Sequence, residues 1–166
     1  MIGGRPTVRR TACMPDPEPT ALPPHSRSAY PYFRQVQTRW MDNDMYGHVN
    51  NVVYFAWFDS VITEFLIREC GLDIQSPHAV ALYVVESACR YHRSLSYPET
   101  VDAGLRIGHL GTSSVRFELG LFREGEDRAA ASGHFTVVIV DRSTNKPTPI
   151  PASIRIGRQR LTNTVA

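Results

Sequence analysis

Residues 51–70 read NVVYFAWFDSVITEFLIREC, the one long stretch of this chain in which apolar side chains recur at helical spacing. Tyr54, Phe58, Val61, Ile62, Phe65 and Leu66 fall on one face, Val53, Ala56 and Trp57 widen it, and Gly71 stands where a C-cap belongs. Ser60, Thr63, Glu64 and Arg68 leave a narrow polar strip, with Glu64 and Arg68 placed for mutual support. A helix this apolar predicts protein on most of its sides. The remainder of the chain has to supply that enclosure.

After the helix the patterns are those of strands. Residues 80–86, extending past Ala88 toward Leu95, form a first run. Val101, Ala103, Leu105 and Ile107 then alternate strictly, as do Val115, Phe117, Leu119 and Leu121, and residues 129–140 give a last long strand ending at Asp141. Turns at 108–112 and at Glu124-Gly125-Glu126-Asp127 separate them. Four strands in series predict antiparallel pairing. Pro147, Pro149 and Pro151 predict the end of the sheet, and residues 152–161 a short surface helix. Ahead of the central helix, Phe33 to Trp40 reads as one further strand. The fold class predicted is α+β, a five-stranded antiparallel sheet curved around one long central helix. Such a sheet has open edges, and pairing two copies edge to edge predicts at least a dimer.

Composition narrows the function classes. The chain has 166 residues, 42% of them hydrophobic, and a formal charge of +2. No apolar run approaches the roughly 18 residues that a membrane-spanning helix needs. Lys and Arg are scattered, which speaks against nucleic acid, where a basic stripe has to face phosphates. Cys13, Cys70 and Cys89 are odd in number and lack C-x-x-C spacing, so a disulfide framework and a structural zinc site are not expected, and a reducing, cytoplasmic setting is. Seven of the 12 prolines lie within the first 31 residues. Residues 1–30 therefore read as a disordered leader, 31–161 as the domain and 162–166 as a tail.

The chemistry concentrates between the first strand and the helix. Residues 39–54, RWMDNDMYGHVNNVVY, place two carboxylates, a histidine and several amides at the start of the apolar helix. Free N–H groups there polarise a carbonyl oxygen, and a carboxylate just upstream can attack the carbonyl carbon or deprotonate a water that does. That layout suits acyl transfer to water. Asp42 reads equally well as a helix cap. Ser113 and Ser114 sit in no G-x-S-x-G elbow, and no metal-ligand spacing accompanies His48.

The pattern Asp42-x-Asp44-x-x-Gly47-His48-Val49-Asn50-Asn51-x-x-Tyr54, preceded by Arg39-Trp40, resembles the signature of hotdog-fold acyl-CoA thioesterases of the 4-hydroxybenzoyl-CoA thioesterase family. The resemblance extends over roughly Tyr32 to Leu161 by order and length of elements. It implies a hotdog fold, a homodimer or homotetramer, no metal, and hydrolysis of an acyl-CoA, coenzyme A being part of the substrate and no cofactor being needed. Asp44 matches the family's catalytic carboxylate, as nucleophile or as general base. Asn51 matches the position whose backbone N–H holds the thioester oxygen. Gly47 lets the loop turn tightly, while His48, Asn50 and Tyr54 shape the pocket or hydrogen-bond Asp44. Asp59 lies near the place where another branch of these thioesterases carries its acid, which makes it a rival to Asp44. The turn at 108–114, where some members carry basic residues for the nucleotide phosphates, has no Lys or Arg. An acyl-carrier-protein thioester is therefore an alternative substrate. An enoyl-thioester hydratase or dehydratase using Asp44 with His48, and a non-catalytic thioester-binding module, are the alternatives in function.

Overall fold

In the computed structural model, which describes residues 26–73 and 80–163, the apolar stretch forms helix α1, Asn51–Arg68. Asn50 sets its start by accepting the Val52 amide at 3.1 Å, which satisfies one of the free N–H groups of the first turn. At its end Gly71 takes φ +63°, and the Leu72 amide returns to the Leu66 carbonyl at 2.9 Å. Tyr54, Phe58, Val61, Ile62, Phe65 and Leu66 are all buried, as their spacing predicts, and Trp57 joins them. The enclosure is not complete, because Val52 and Ile67 stay 63% and 41% exposed. Glu64 meets Arg68 at 2.7 Å and Arg34 of the first strand at 2.6 Å, so the polar strip also ties helix to sheet.

The sheet comprises β1 (Tyr32–Gln37), β2 (Ala81–Tyr91), β3 (Thr100–Leu110), β4 (Ser114–Arg123) and β5 (Ala131–Asp141), all antiparallel. Period-2 alternation sends Val101, Ala103 and Leu105, Phe117, Leu119 and Leu121, and Phe135, Val137 and Ile139 to one face, where they share a single core with the α1 side chains. Phe58 and Phe65 are fully enclosed there, and burying each ring contributes roughly 1.5–3 kcal/mol.

The strand order, β1-β3-β4-β5-β2, departs from pairing in sequence. β2 runs beside β5, from Ala81 opposite Val140 to Tyr91 opposite Ala131, and β3 pairs with β1 rather than with β2. The helix touches both edge strands: Asn51 and Tyr54 meet Tyr91 of β2, and Glu64 and Phe65 meet Arg34 and Tyr32 of β1, so the sheet curls around α1 with β1 and β2 at its two edges. Three smaller differences follow from local chemistry. β1 stops at Gln37 rather than Trp40, because the Thr38 hydroxyl and amide both donate to the Glu99 carbonyl and Trp40–Asp42 closes a single 3₁₀ turn. Pro147 does not end the sheet but sits in a two-residue strand β6 (Lys146–Pro147) against the end of β5. Helix α2, Ala152–Asn163, runs two residues into the expected tail, with Ile154 fully buried. No helix among the described residues is long and apolar enough to cross a membrane.

The expected leader gives way earlier than residue 31. Residues 1–25 lie outside the described residues, but Arg27–Ala29 forms a 3₁₀ turn and Tyr30 is only 3% exposed. The Tyr30 ring lies on the outer face of the sheet beside Phe122 and above Gly104 and Gly120, where any Cβ would collide with it. Arg27 pairs with Asp102 at 2.7 Å. Burial of that ring is what fixes the segment.

The outer face also carries a polar ladder. Arg106 and Arg116 both reach Glu118, at 2.6 and 3.1 Å, and His134 Nε2 lies 3.4 Å from Glu86 of β2. His134 is 2% exposed, and burial, then the charge of Arg116, hold its pKa below the ordinary imidazole value, against the pull of Glu86.

Two outcomes are expected. Tyr30→Ala should cost about 3 kcal/mol, read as a lower urea midpoint at unchanged slope, if residues 26–30 belong to the folded domain. Because unfolded His134 takes up its proton near the ordinary value of about 6.5 and the folded chain resists, its stabilisation is present above that pH and lost as pH falls from there through the folded value. The wild-type urea midpoint should therefore drop between pH 7 and pH 5, and His134→Gln should flatten that drop.

Candidate active site

Two aspartates two residues apart do different work in the loop between β1 and α1. Asp42 is 1% exposed. Its Oδ1 accepts Arg39 Nη2 at 2.8 Å, its Oδ2 accepts the Arg39 amide at 2.7 Å, and its carbonyl accepts the Asn50 amide at 2.8 Å. It thus ties the beginning of the loop to its end, immediately before the helix. That is a structural role, though not the cap of the long helix that its position suggested: Asn50 caps α1, and Asp42 closes the Trp40–Asp42 turn onto the Arg39 amide.

Asp44 sits on the turn which that tie holds in place. Its amide donates to the His48 carbonyl at 2.8 Å, its carbonyl accepts the Gly47 amide at 3.1 Å, and its Oδ1 accepts the Tyr46 amide at 2.8 Å. Gly47, at φ +79°, closes the turn in a conformation that side chains disfavour. Asn43 fastens the turn to the following segment by accepting the Tyr97 amide at 3.1 Å, and the Val49 amide donates to the Leu95 carbonyl at 2.8 Å. With Oδ1 engaged, Asp44 Oδ2 receives no hydrogen bond among the described residues. The carboxyl is partly exposed and oriented by one backbone donor, leaving an oxygen available for chemistry.

Asp44 opens on a cavity of about 390 Å³. His48, Val49, Asn51 and Tyr54 share its wall, and Tyr91, His92, Arg93 and Ser94 form the other. The structure therefore brings together Asp44, His48, Asn51 and Tyr54. Asn50 and Gly47 support the site from outside the cavity, one by capping α1 and the other by turning the loop. Asp59 is not brought to Asp44. Eight residues on from Asn51, about 12 Å along the helix axis, it borders a separate pocket of about 220 Å³ with Ile62, Leu66, Phe135, Val137 and Arg142. Within the protomer the two acids thus border different pockets.

The wall from Tyr91 to Ser94 was not legible as a site. In sequence it is the tail of a strand run, and alternation carries no sign that this tail meets the helix start. Tyr91 Oη donates to the Asn51 carbonyl at 3.1 Å, and the ring stands perpendicular to Tyr54 with centroids 5.0 Å apart. Burial, reinforced by Cys89, pushes the Tyr91 phenol up to about 12, and burial likewise raises Tyr54. Both hydroxyls are accordingly neutral in the physiological range. The Asn51 amide, at the first position of α1, has no carbonyl four residues back inside the helix to meet. Asn51, the residue that carries this partial positive charge, lines the same hollow as Asp44. A carboxylate and an oxyanion-type donor across one cavity can carry out addition to a carbonyl. Among the described residues no three His, Cys, Asp or Glu side chains converge as a metal site requires.

Comparison with known proteins bears on this geometry. The PA5185 protein of Pseudomonas aeruginosa strain PAO1 is 44% identical, with a TM-score of 0.79 over 84% of this chain and 96% of that one. A thioesterase from Thermus thermophilus, solved in complex with coenzyme A and Zn, is 28% identical with a TM-score of 0.65, covering 81% and 96%. BH1999, a gentisyl-coenzyme A thioesterase, is 25% identical with a TM-score of 0.68, covering 76% and 99%. Residues 36–156, which contain α1, its loop and all of the sheet except most of β1, match the family model of the thioesterase-like superfamily, and the chain belongs to that superfamily.

Proposed function

We propose that the protein hydrolyses an acyl-CoA thioester to the free acid and coenzyme A, with Asp44 as the acting carboxylate. Its superfamily makes it a thioester hydrolase. The observation that carries the finer reading is the pairing, in one cavity, of the free Asp44 oxygen with the amide end of α1. Solved relatives that bind coenzyme A or act on gentisyl-coenzyme A support that thiol as the leaving group.

On this reading the thioester oxygen rests on the Asn51 amide, which gains strength as negative charge develops on that oxygen. Asp44 either adds to the carbonyl carbon, giving an anhydride that water then opens, or takes a proton from the water that adds. Both routes form a C–O bond and break the C–S bond; in the water route Asp44 passes the proton it took to the departing sulfur, and in the anhydride route sulfur leaves as thiolate and the water that opens the anhydride supplies the proton. Tyr91 acts on the donor rather than on the substrate: by holding the Asn51 carbonyl it fixes the plane of the first helical turn. The chain supplies each of these groups, so the proposal includes no cofactor beyond the coenzyme A of the substrate. A hydratase would need the His48 ring opposite Asp44 as an acid, whereas the contact between these residues runs through the His48 carbonyl.

We further infer a homodimer, in the hotdog arrangement. Among the described residues β2 pairs with β5 on one side only, and along it Tyr83, Val84 and Val85 are 52%, 49% and 60% exposed. An apolar strand edge of this length is stable in water only when covered.

Asp44→Asn should lower kcat/KM for hydrolysed acyl-CoAs by about 10²–10⁴-fold, followed as thiol release, while circular dichroism and gel filtration stay those of wild type. Near-normal turnover would remove Asp44 from the mechanism. Tyr91→Phe deletes one hydrogen bond worth about 0.5–1.5 kcal/mol, so a fall in kcat of roughly three- to tenfold with KM little changed is expected; a change confined to KM would argue against its role in holding the donor.

A further inference from the structure

The wall opposite Asp44 also bounds something larger. His92 and Arg93 line both the catalytic cavity and a neighbouring cleft of about 750 Å³, whose remaining border is Ser26, Asp127, Arg128 and Ala129. These residues meet because the His92 and Arg93 amides both donate to the Ala130 carbonyl, at 2.8 and 3.0 Å, which draws the end of β2 against the β4–β5 hairpin. Arg93 then reaches the Arg128 carbonyl and the Glu126 carboxylate, each at 2.7 Å, and His92 Nε2 lies 2.9 Å from the Ser132 hydroxyl.

The two arginines differ in availability. Arg93 is fixed in direction and answered in charge by Glu126. Arg128 is exposed on the border of the cleft, and its guanidinium has no ion-pair partner among the described residues. A free guanidinium beside a held one offers planar, directional donors that suit a tetrahedral anion. Asp127 is the carboxylate on the same border that opposes such an anion. The turn at 108–114, by contrast, offers no Lys or Arg.

We propose that this cleft receives the phosphate end of the substrate's pantetheine arm, with Arg128 as principal donor and Arg93 as its fixed neighbour, the arm crossing from the catalytic cavity over His92 and Arg93. The inference rests on the thioester-hydrolase reading and concerns the thiol carrier rather than the acyl group. A phosphate at that position is common to coenzyme A and to the arm of a carrier protein, so the recognising chemistry is the same for both.

The test compares decanoyl and benzoyl thioesters of coenzyme A, of 4′-phosphopantetheine and of pantetheine, by thiol release. The wild type is expected to favour the two phosphate-bearing carriers in kcat/KM. Arg128→Gln should cut that preference about tenfold, chiefly through KM, and Asp127→Asn should raise it. A wild type that favours the coenzyme A ester over the phosphopantetheine ester identifies the free coenzyme as the source, and equality shows that the arm's own phosphate suffices. A preference unchanged by Arg128→Gln, or no preference at all, overturns the proposal. If none of the esters is hydrolysed, the hydrolase reading is what fails. Calorimetric binding of coenzyme A against pantetheine then still decides the cleft: coenzyme A binding weakened by Arg128→Gln supports it, and binding indifferent to Arg128 or to phosphate rejects it.

Discussion

Seven large side chains on one helix have to be kept from water, and every other element is arranged by that requirement. The sheet offers its alternating inner face, the loop before the helix is drawn in by Asp42, and the two edge strands both fold against the helix, β2 at Tyr54 and β1 at Phe65. The same requirement leaves the helix start at the surface. Its amides cannot be satisfied from within, so burying the body of α1 and exposing its leading end are two results of one packing problem.

That leading end is useful only because the loop before it is stiff. Asp42, with both carboxylate oxygens engaged and its carbonyl on the Asn50 amide, converts a stretch of polar residues into a closed ring. Asp44 projects from the ring with one oxygen oriented and the other free. Two acids of identical chemistry are thus separated by environment alone, one enclosed beside an arginine and the other at a cavity mouth.

Much of this could be read from residues in order. The face Tyr54–Leu66 was legible because a period near 3.6 over many residues has one physical cause, and the β3 and β4 inner faces because alternation does too. The loop residues Asp44 and Asn51 were legible as chemistry, and the structure brings them to one cavity. Strand order was not, since alternation says which way a side chain points and nothing about which strand lies beside it. Asp59 entered as a rival because position along a helix was known and the walls around it were not. Tyr91, His92, Arg93 and Arg128 were missed for the complementary reason: they come from two distant segments that meet only once the chain is folded, through the Ala130 carbonyl and the Arg93 guanidinium. Tyr30 was hidden among prolines, where no periodic signal marks a single ring as packed.

Gly104 and Gly120 stand directly opposite each other on β3 and β4, a pair with no side chains of its own in the middle of the outer face. Without a Cβ on either strand the pair leaves a furrow in that face, and the Tyr30 ring fills it beside Phe122. The residues leading into the first strand thus lend the two middle strands the side chain they lack, and the outer face gains a small apolar cluster of its own.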